Sequence, residues 1–289
     1  MSIKIAIASG KGGTGKTTVA VSLALCASGH VTLLDCDVEE PNCHIFLRPV
    51  IEERLPVSLA APVINQERCD YCGKCKEICR FNAIAVFGKT IMTFPELCHS
   101  CGGCFLVCPQ KAIAEGRREI GVVEKGRAGD IAFISGTLKI GEAMAPPLVK
   151  AVKAQGEAYE KAGEKSSGKD TRFVIIDAPP GTSCPVIIAV RGAGHTILVT
   201  EPTPFGLNDL KLAAGVLKRL GQPFGVIINR SDIGDSQVDA WCLAQDIPIY
   251  MKIPFDRRIA EGYSRGEPLV TALPEVRPAF DELLTGLCP

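Results

Sequence analysis

Aromatic side chains are scarce in this chain. Its 289 residues include one Trp, four Tyr and eleven Phe, 6% in all, against an apolar content of 46%. The core volume must therefore come from Val, Ile, Leu and Ala, which suits an α/β protein. A charge of one sign is also lacking, since 32 basic residues balance 32 acidic ones. That argues against nucleic acid as the main partner. No apolar run reaches the length that crosses a bilayer. The N-terminus passes straight into a strand-like run, without the charged leader and hydrophobic stretch of a signal peptide. The expectation is a cytoplasmic protein with no membrane and no nucleic acid among its partners.

Cysteine, by contrast, is abundant. There are 14, and eight of them fall in two C-x2-C-x2-C-x3-C runs. In a short secreted chain such numbers would suggest disulfides. Here the clustering points to metal ligation instead.

Read along its length, the chain opens as an α/β fold. Residues 3–8 form a short apolar run that reads as a buried strand, 16–28 as a helix and 30–37 as a second strand ending in two aspartates. Strand, glycine loop, helix, strand is the start of a doubly wound, mostly parallel sheet. The pattern breaks from about 61 to 118 and then resumes. Strands are expected at 131–136, 173–180, 195–202, 224–230 and 247–254, with helices at 146–162, 206–220 and 236–245. KAGEKSSGKD, 161–170, reads as a solvated linker. The cysteine region is therefore an insertion, and the expected layout is 1–60, an insert at 61–118, and 119–289.

The glycine loop is GKGGTGKTT, residues 10–18. Gly10-x4-Gly15-Lys16-Thr17 has full P-loop spacing. Its glycines (Gly10, Gly12, Gly13, Gly15) let successive amides, with Thr14 and Thr18 beside them, turn toward phosphate at a helix N-terminus. Lys16 is placed to reach the β- and γ-phosphates, and Thr17 to put its hydroxyl on Mg²⁺. Lys11 is a second lysine within the loop. With it, GKGGTGKT resembles the deviant Walker A motif of the MinD/ParA/Mrp and nitrogenase iron-protein superfamily. That resemblance covers roughly four-fifths of the chain and implies an ATPase, slow until a partner binds. It implies that Lys11 crosses a dimer interface to the partner's nucleotide. LLDCDVEEPN, 33–42, resembles switch I, so Asp37 would orient the attacking water and Asp35 would lie near the Mg²⁺ shell. DAPPGT, 177–182, resembles switch II, with Asp177 holding Mg²⁺ through water and Gly181 near the γ-phosphate. Asn229, at the end of a strand, resembles the asparagine that reads adenine.

The insert is an internal repeat. ERCDYCGKCKEICRFNAIAVF is echoed by ELCHSCGGCFLVCPQKAIAEG, each cysteine offset by 29 residues. A unit this small needs a bound metal centre for stability. The spacing resembles that of bacterial-type two-cluster ferredoxins, where the fourth cysteine of each run serves the other cluster. The resemblance implies one 4Fe-4S cluster on Cys69, Cys72, Cys75 and Cys108, and another on Cys98, Cys101, Cys104 and Cys79. Zinc is the competing reading, but it usually takes paired knuckles of four local ligands. Arg80 stands where proline often follows the fourth cysteine. Of the other six, Cys26, Cys36, Cys43, Cys242 and Cys288 read as core or surface residues. Cys184 lies about where the nitrogenase iron protein has a bridging-cluster ligand, but no CxxC occurs outside the insert.

Three functions are consistent with these residues. The first is an ATP-gated redox protein, dimeric with itself or a relative, passing electrons through two clusters to a partner. The second is an ATP-dependent assembly or carrier factor for iron-sulfur or other metal clusters, acting on a client. The third is a MinD-like spatial organiser. The final segment, RPAFDELLTGLCP, has no basic face for a membrane, which disfavours that last version.

Overall fold

The computed structural model describes residues 2–163 and 171–288. Most of the expected linker thus lies outside the described residues. In chain order the elements are β1 (Ser2–Ala8), α1 (Lys16–Cys26), β2 (His30–Asp35), α2 (Cys43–Leu47), β3 (Val50–Ile64), α3 (Lys74–Ile78), β4 (Ile84–Phe87), β5 (Thr90–Thr93), α4 (Gly103–Val107), β6 (Ile113–Ala128) and β7 (Ile131–Leu138). There follow α5 (Ala145–Gly163), β8 (Arg172–Asp177), α6 (Cys184–Val190), β9 (His195–Thr200), α7 (Pro204–Arg219), β10 (Phe224–Asn229), α8 (Gln237–Ala244), β11 (Ile249–Ile253), α9 (Arg257–Ser264), α10 (Leu269–Ala272) and α11 (Arg277–Leu287).

The main sheet runs β11-β10-β9-β1-β8-β2-β7-β6-β3. Its strands are parallel from β11 to β7, and β6 and β3 close one side as antiparallel neighbours. Strand side chains alternate between two cores, as the period of two requires. Ile5, Ile7, Leu33 and Ile175 face α1, α10 and α11. Ala6, Ala8, Leu34 and Ile176 face α5, α6, α7 and α8. Both faces are thus covered, which explains the nearly continuous apolar character of the parallel strands.

The antiparallel pair is the main departure from the sequence reading. β3 and β6 run unbroken across the expected boundaries at 60/61 and 118/119. β7 supports only Gly121–Ala128 of β6. Beyond that, residues 113–119 pair with 58–64 alone, and a register shift between Val57 and Ser58 marks where the ribbon leaves the sheet. Pro56 and Pro62 hid β3 from sequence reasoning. They are tolerated because β3 is an edge strand, with one side free of ladder bonds. The ribbon's far ends carry residues 65–112, which hold the β4–β5 hairpin, α3 and α4 around a small core of Cys75, Ile84 and Ile91. Helices α9, α10 and α11 were also unread. The apolar side of α11 (Phe280, Leu283, Leu284) is buried against the sheet. Among the described residues no helix is long and apolar enough to cross a membrane.

Candidate nucleotide site and cysteine lobe

The glycine loop connects β1 to α1 at the C-terminal edge of the parallel strands. Gly13 and Gly15 have φ of 77° and 95°, in the left-handed region that favours glycine. A Cβ on Gly10 would come within 2.2 Å of the Asp209 carbonyl oxygen, so the loop passes directly against α7. Lys16 opens α1 and is buried. Thr17 donates its hydroxyl to Asp177 Oδ2 at 2.7 Å. Asp177 ends β8 opposite Asp35, which ends β2. Asp35 accepts the amides of Cys43 (3.0 Å) and Asp37 (3.3 Å). The Cys43 thiol donates to Asp177 at 3.4 Å.

Asp35 and Asp177 are both buried, and Asp177 Oδ1 has no hydrogen-bond partner. Burial raises the pKa of each, and the neighbouring Asp177 carboxylate raises Asp35 further, while Thr17 and Lys16 oppose the shift at Asp177. Asp37 lies in the loop after β2, at the cleft. Burial pushes it up to about 7 against the attraction of Lys16. Two buried carboxylates and a hydroxyl are hard oxygen donors with too little positive charge nearby, and Mg²⁺ is the ion such a set suits. Ligand atoms of Asp35, Cys43 and Asp177 all lie within 4.8 Å of one another.

The loop forms one wall of a cleft of about 480 Å³, whose lining includes Asp37, Asn229, Pro254, Phe255, Asp256 and Tyr263. Thr18 and Gly12 also line it. Asn229 donates one amide hydrogen to the Thr14 carbonyl at 2.9 Å, which leaves its second hydrogen for a ligand. The Thr14 hydroxyl is buried without a partner. Gly181 has φ of 95° and donates its amide to the Ser9 carbonyl, which brings the 178–182 turn against the loop. Lys11 is held elsewhere. Its Nζ lies 3.3 Å from Glu201, just after β9, and Glu201 also binds Arg230 at 2.8 Å. Sequence reasoning missed Glu201 and Arg230. An acid directly after a strand that pairs with the P-loop strand was the available signal.

Residues 65–112 repeat their backbone as well as their sequence. Tyr71 and Ser100, Gly73 and Gly102, and Asn82 and Lys111 are three pairs of positive-φ residues at equivalent places. Each glycine opens a short helix. Amides of Ala83 and Ala112 donate to the sulfurs of Cys79 and Cys108, at 3.3 and 3.2 Å. Two cavities collect the cysteines. One is lined by Cys69, Cys72, Cys75 and Cys108, the other by Cys79, Cys98, Cys101 and Cys104. Sulfurs around one zinc ion lie about 3.8 Å apart, given bonds of about 2.3 Å. Among the described residues no trio of these eight cysteines has its sulfurs within 4.8 Å of one another. Of the other cysteines, Cys36, Cys43 and Cys242 are buried, Cys26 is half-buried, and Cys184 and Cys288 are exposed. Burial pushes Cys36 up, and Asp35 adds to that.

Comparison with known proteins settles the family. Residues 5–269 match the CobQ/CobB/MinD/ParA nucleotide binding domain. The chain belongs to the CobQ/CobB/MinD/ParA nucleotide-binding family. A MinD/ParA-type nucleotide site is therefore what the cleft and loop represent. An uncharacterized protein of Methanocaldococcus jannaschii is 31% identical over 88% of this chain and 85% of its own length. An iron-sulfur cluster carrier protein of Aquifex aeolicus is 27% identical over 96% of this chain and 64% of its own. The fold is shared with septum site-determining protein MinD of Pyrococcus horikoshii, solved with Mg-ADP, at a TM-score of 0.55 and 24% identity, covering 100% of this chain and 96% of that one.

Proposed function

We propose that this MinD/ParA-type protein is an ATP-driven switch joined to a two-cluster electron carrier. In this reading ATP brings together two copies, or one copy and a related chain. Hydrolysis releases them, and electrons pass through two 4Fe-4S clusters to a partner protein. One observation carries the reading: a single sheet bears the nucleotide cleft at its centre and two cysteine-lined cavities at the end of its β3–β6 ribbon.

Each residue's part follows from its place. Amides of Gly10–Thr18 wrap the phosphates, and Lys16 neutralises their charge. Thr17, Asp35 and Asp177 would hold Mg²⁺, which supplies positive charge to the phosphates. Asp37 orients the water that attacks the γ-phosphorus as the bond to the β-phosphate oxygen breaks, giving ADP and phosphate. Gly181 lies near the γ-phosphate, and Asn229 offers its free amide hydrogen to the adenine. Lys11 leaves Glu201 to reach the partner's nucleotide. Cys69, Cys72, Cys75 and Cys108 would hold one cluster and Cys98, Cys101, Cys104 and Cys79 the other, each supplying one-electron chemistry. The residues at 61–118 would then be a ferredoxin domain set into the ATPase formed by 1–60 and 119–289.

The deciding experiment is anaerobic iron analysis, then a redox titration followed by low-temperature EPR, with and without Mg-ATP. About eight irons per chain are expected. A nucleotide-dependent shift of 30 mV corresponds to roughly 0.7 kcal/mol of coupling for one electron. Absence of iron would overturn the redox module. Clusters with unmoved potentials would favour the second reading, cluster assembly or carriage, which the name of the Aquifex aeolicus relative supports.

A further inference from the structure

We propose that Arg118 is a positioning residue that, with Glu142, transmits the state of the nucleotide site to the second cysteine loop. This rests on the nucleotide-switch reading above. Arg118 lies on β6 just where the ribbon leaves the support of β7, whose pairing begins at Gly121. Its guanidinium does two things at once. It forms an ion pair with Glu142, and it donates to the carbonyl of Cys98 at 3.1 Å. The side chains are only 12% and 5% exposed. An ion pair so well hidden from water is held by its geometry and is little screened by salt.

Glu142 is set by the nucleotide end of the sheet. It lies four residues after Leu138, whose amide donates to the Val38 carbonyl at 2.8 Å. Val38 is buried and directly follows Asp37. Between them, the Lys139 amide donates to the Ile120 carbonyl, and the Glu142 amide to the Lys139 carbonyl. Glu142 also accepts the Met144 amide at 2.9 Å, which fixes its carboxylate. A short chain of hydrogen bonds thus leads from the 35–38 segment through the 138–142 turn to the first cysteine of the second run.

That chain has a reason to move. The carboxylates of Asp35 and Asp177 are buried together, and a cation arriving with nucleotide changes the balance of forces on the 35–38 segment. It also has a reason to take a second arrangement. Arg118 Nε is buried without a hydrogen-bond partner, so the guanidinium is incompletely satisfied where it stands. Re-aiming the guanidinium would alter its hold on the Cys98 carbonyl and with it the pose of the 98–104 loop.

The test is amide hydrogen exchange on the full anaerobic protein, with Mg²⁺ and a non-hydrolysable ATP analogue present or absent. Wild type, Glu142→Gln and Arg118→Lys are compared, with iron content and nucleotide affinity measured on each. The wild-type amides at 98–105 should change exchange rate about threefold or more on adding nucleotide. Both variants should lose that response while α1 still responds and affinity stays within about threefold. A variant that keeps the wild-type response overturns the proposal. So does a wild type in which α1 responds and 98–105 does not. A loop response in protein without iron would keep the joint and overturn the electron-transfer reading. Failure of the wild type to bind nucleotide would overturn both.

Discussion

At the residue scale the decisive groups are three carboxylates that burial holds in an unfavourable state. Asp35, Asp37 and Asp177 all have their pKa raised on folding, Asp37 to about 7. The native chain therefore holds protons that the unfolded chain, with carboxylates near a pKa of about 3.9, has already lost. Stability is then fullest at low pH as far as these groups are concerned, and the share that belongs to Asp37 is lost as pH rises through about 7. Urea midpoints of the nucleotide-free protein should decrease between pH 5 and 8, and Asp37→Asn should flatten that slope. Mg²⁺ with ADP should restore the midpoint at pH 8 by supplying the missing positive charge. A wild-type midpoint independent of pH would contradict the assignment. The same residue has a catalytic test. Asp37→Asn keeps the shape of the side chain but is a poorer partner for the attacking water, so turnover should fall about 10²-fold or more. Its nucleotide affinity, measured by calorimetry, should stay within a few-fold. A matching loss of affinity would move Asp37 from the chemistry to binding.

At the scale of elements, the glycine loop and the helix after the 177–182 turn offer separate handles. Gly15 has a φ of 95°, and a Cβ there would lie 2.6 Å from Asn229 Nδ2. Gly15→Ala should weaken nucleotide binding at least about tenfold, since the loop must shift or lose the Asn229 contact; strain at such a residue is about 1–3 kcal/mol. Helix α6 has a different weak point, its C-terminal carbonyls. Lys153 Nζ reaches those of Ile188, Ala189 and Arg191 at 2.7, 2.9 and 2.5 Å. Lys153→Met keeps most of the stem but removes the cap, so chemical denaturation should show a loss of about 1–3 kcal/mol. These elements also show what the sequence could reveal. The P-loop, its strand and the aspartates at strand ends were legible because each depends on local spacing. β3 was not, because its two prolines and the run Glu52-Glu53-Arg54 conceal a strand that edge placement permits. The pairing of Lys11 with Glu201 was not legible either, since a parallel sheet brings together residues 190 positions apart and an acid after a strand does not by itself name its partner. Arg118 and Glu142 meet across a turn that only the antiparallel register of β6 on β7 defines.

At the scale of the whole molecule, the duplicated cysteine region raises a question of connectivity that single substitutions cannot answer. The two runs share spacing and backbone form, down to three matched pairs of positive-φ residues. Two folds of the ligand set are chemically conceivable for such a repeat. Each run could close its own cluster, or each could lend its last cysteine to the other. The cavities favour exchange, because Cys108 lines the one formed by Cys69, Cys72 and Cys75, and Cys79 lines the one formed by Cys98, Cys101 and Cys104. Any single Cys→Ser change would remove about half the iron under either scheme. Pairs of changes separate them. If ligands are exchanged, Cys79→Ser with Cys98→Ser damages one cluster twice, and about four irons should remain. Cys79→Ser with Cys69→Ser damages both clusters, and iron should fall toward zero. Local closure reverses these two results. Iron and sulfide counts on anaerobically purified double variants, with EPR to identify the surviving centre, decide between them. The exchanged arrangement also bears on stability, since each cluster would then tie the two runs together across the ribbon. Loss of either one should loosen the whole 65–112 segment, and limited proteolysis should cut there first, with the nucleotide domain left intact.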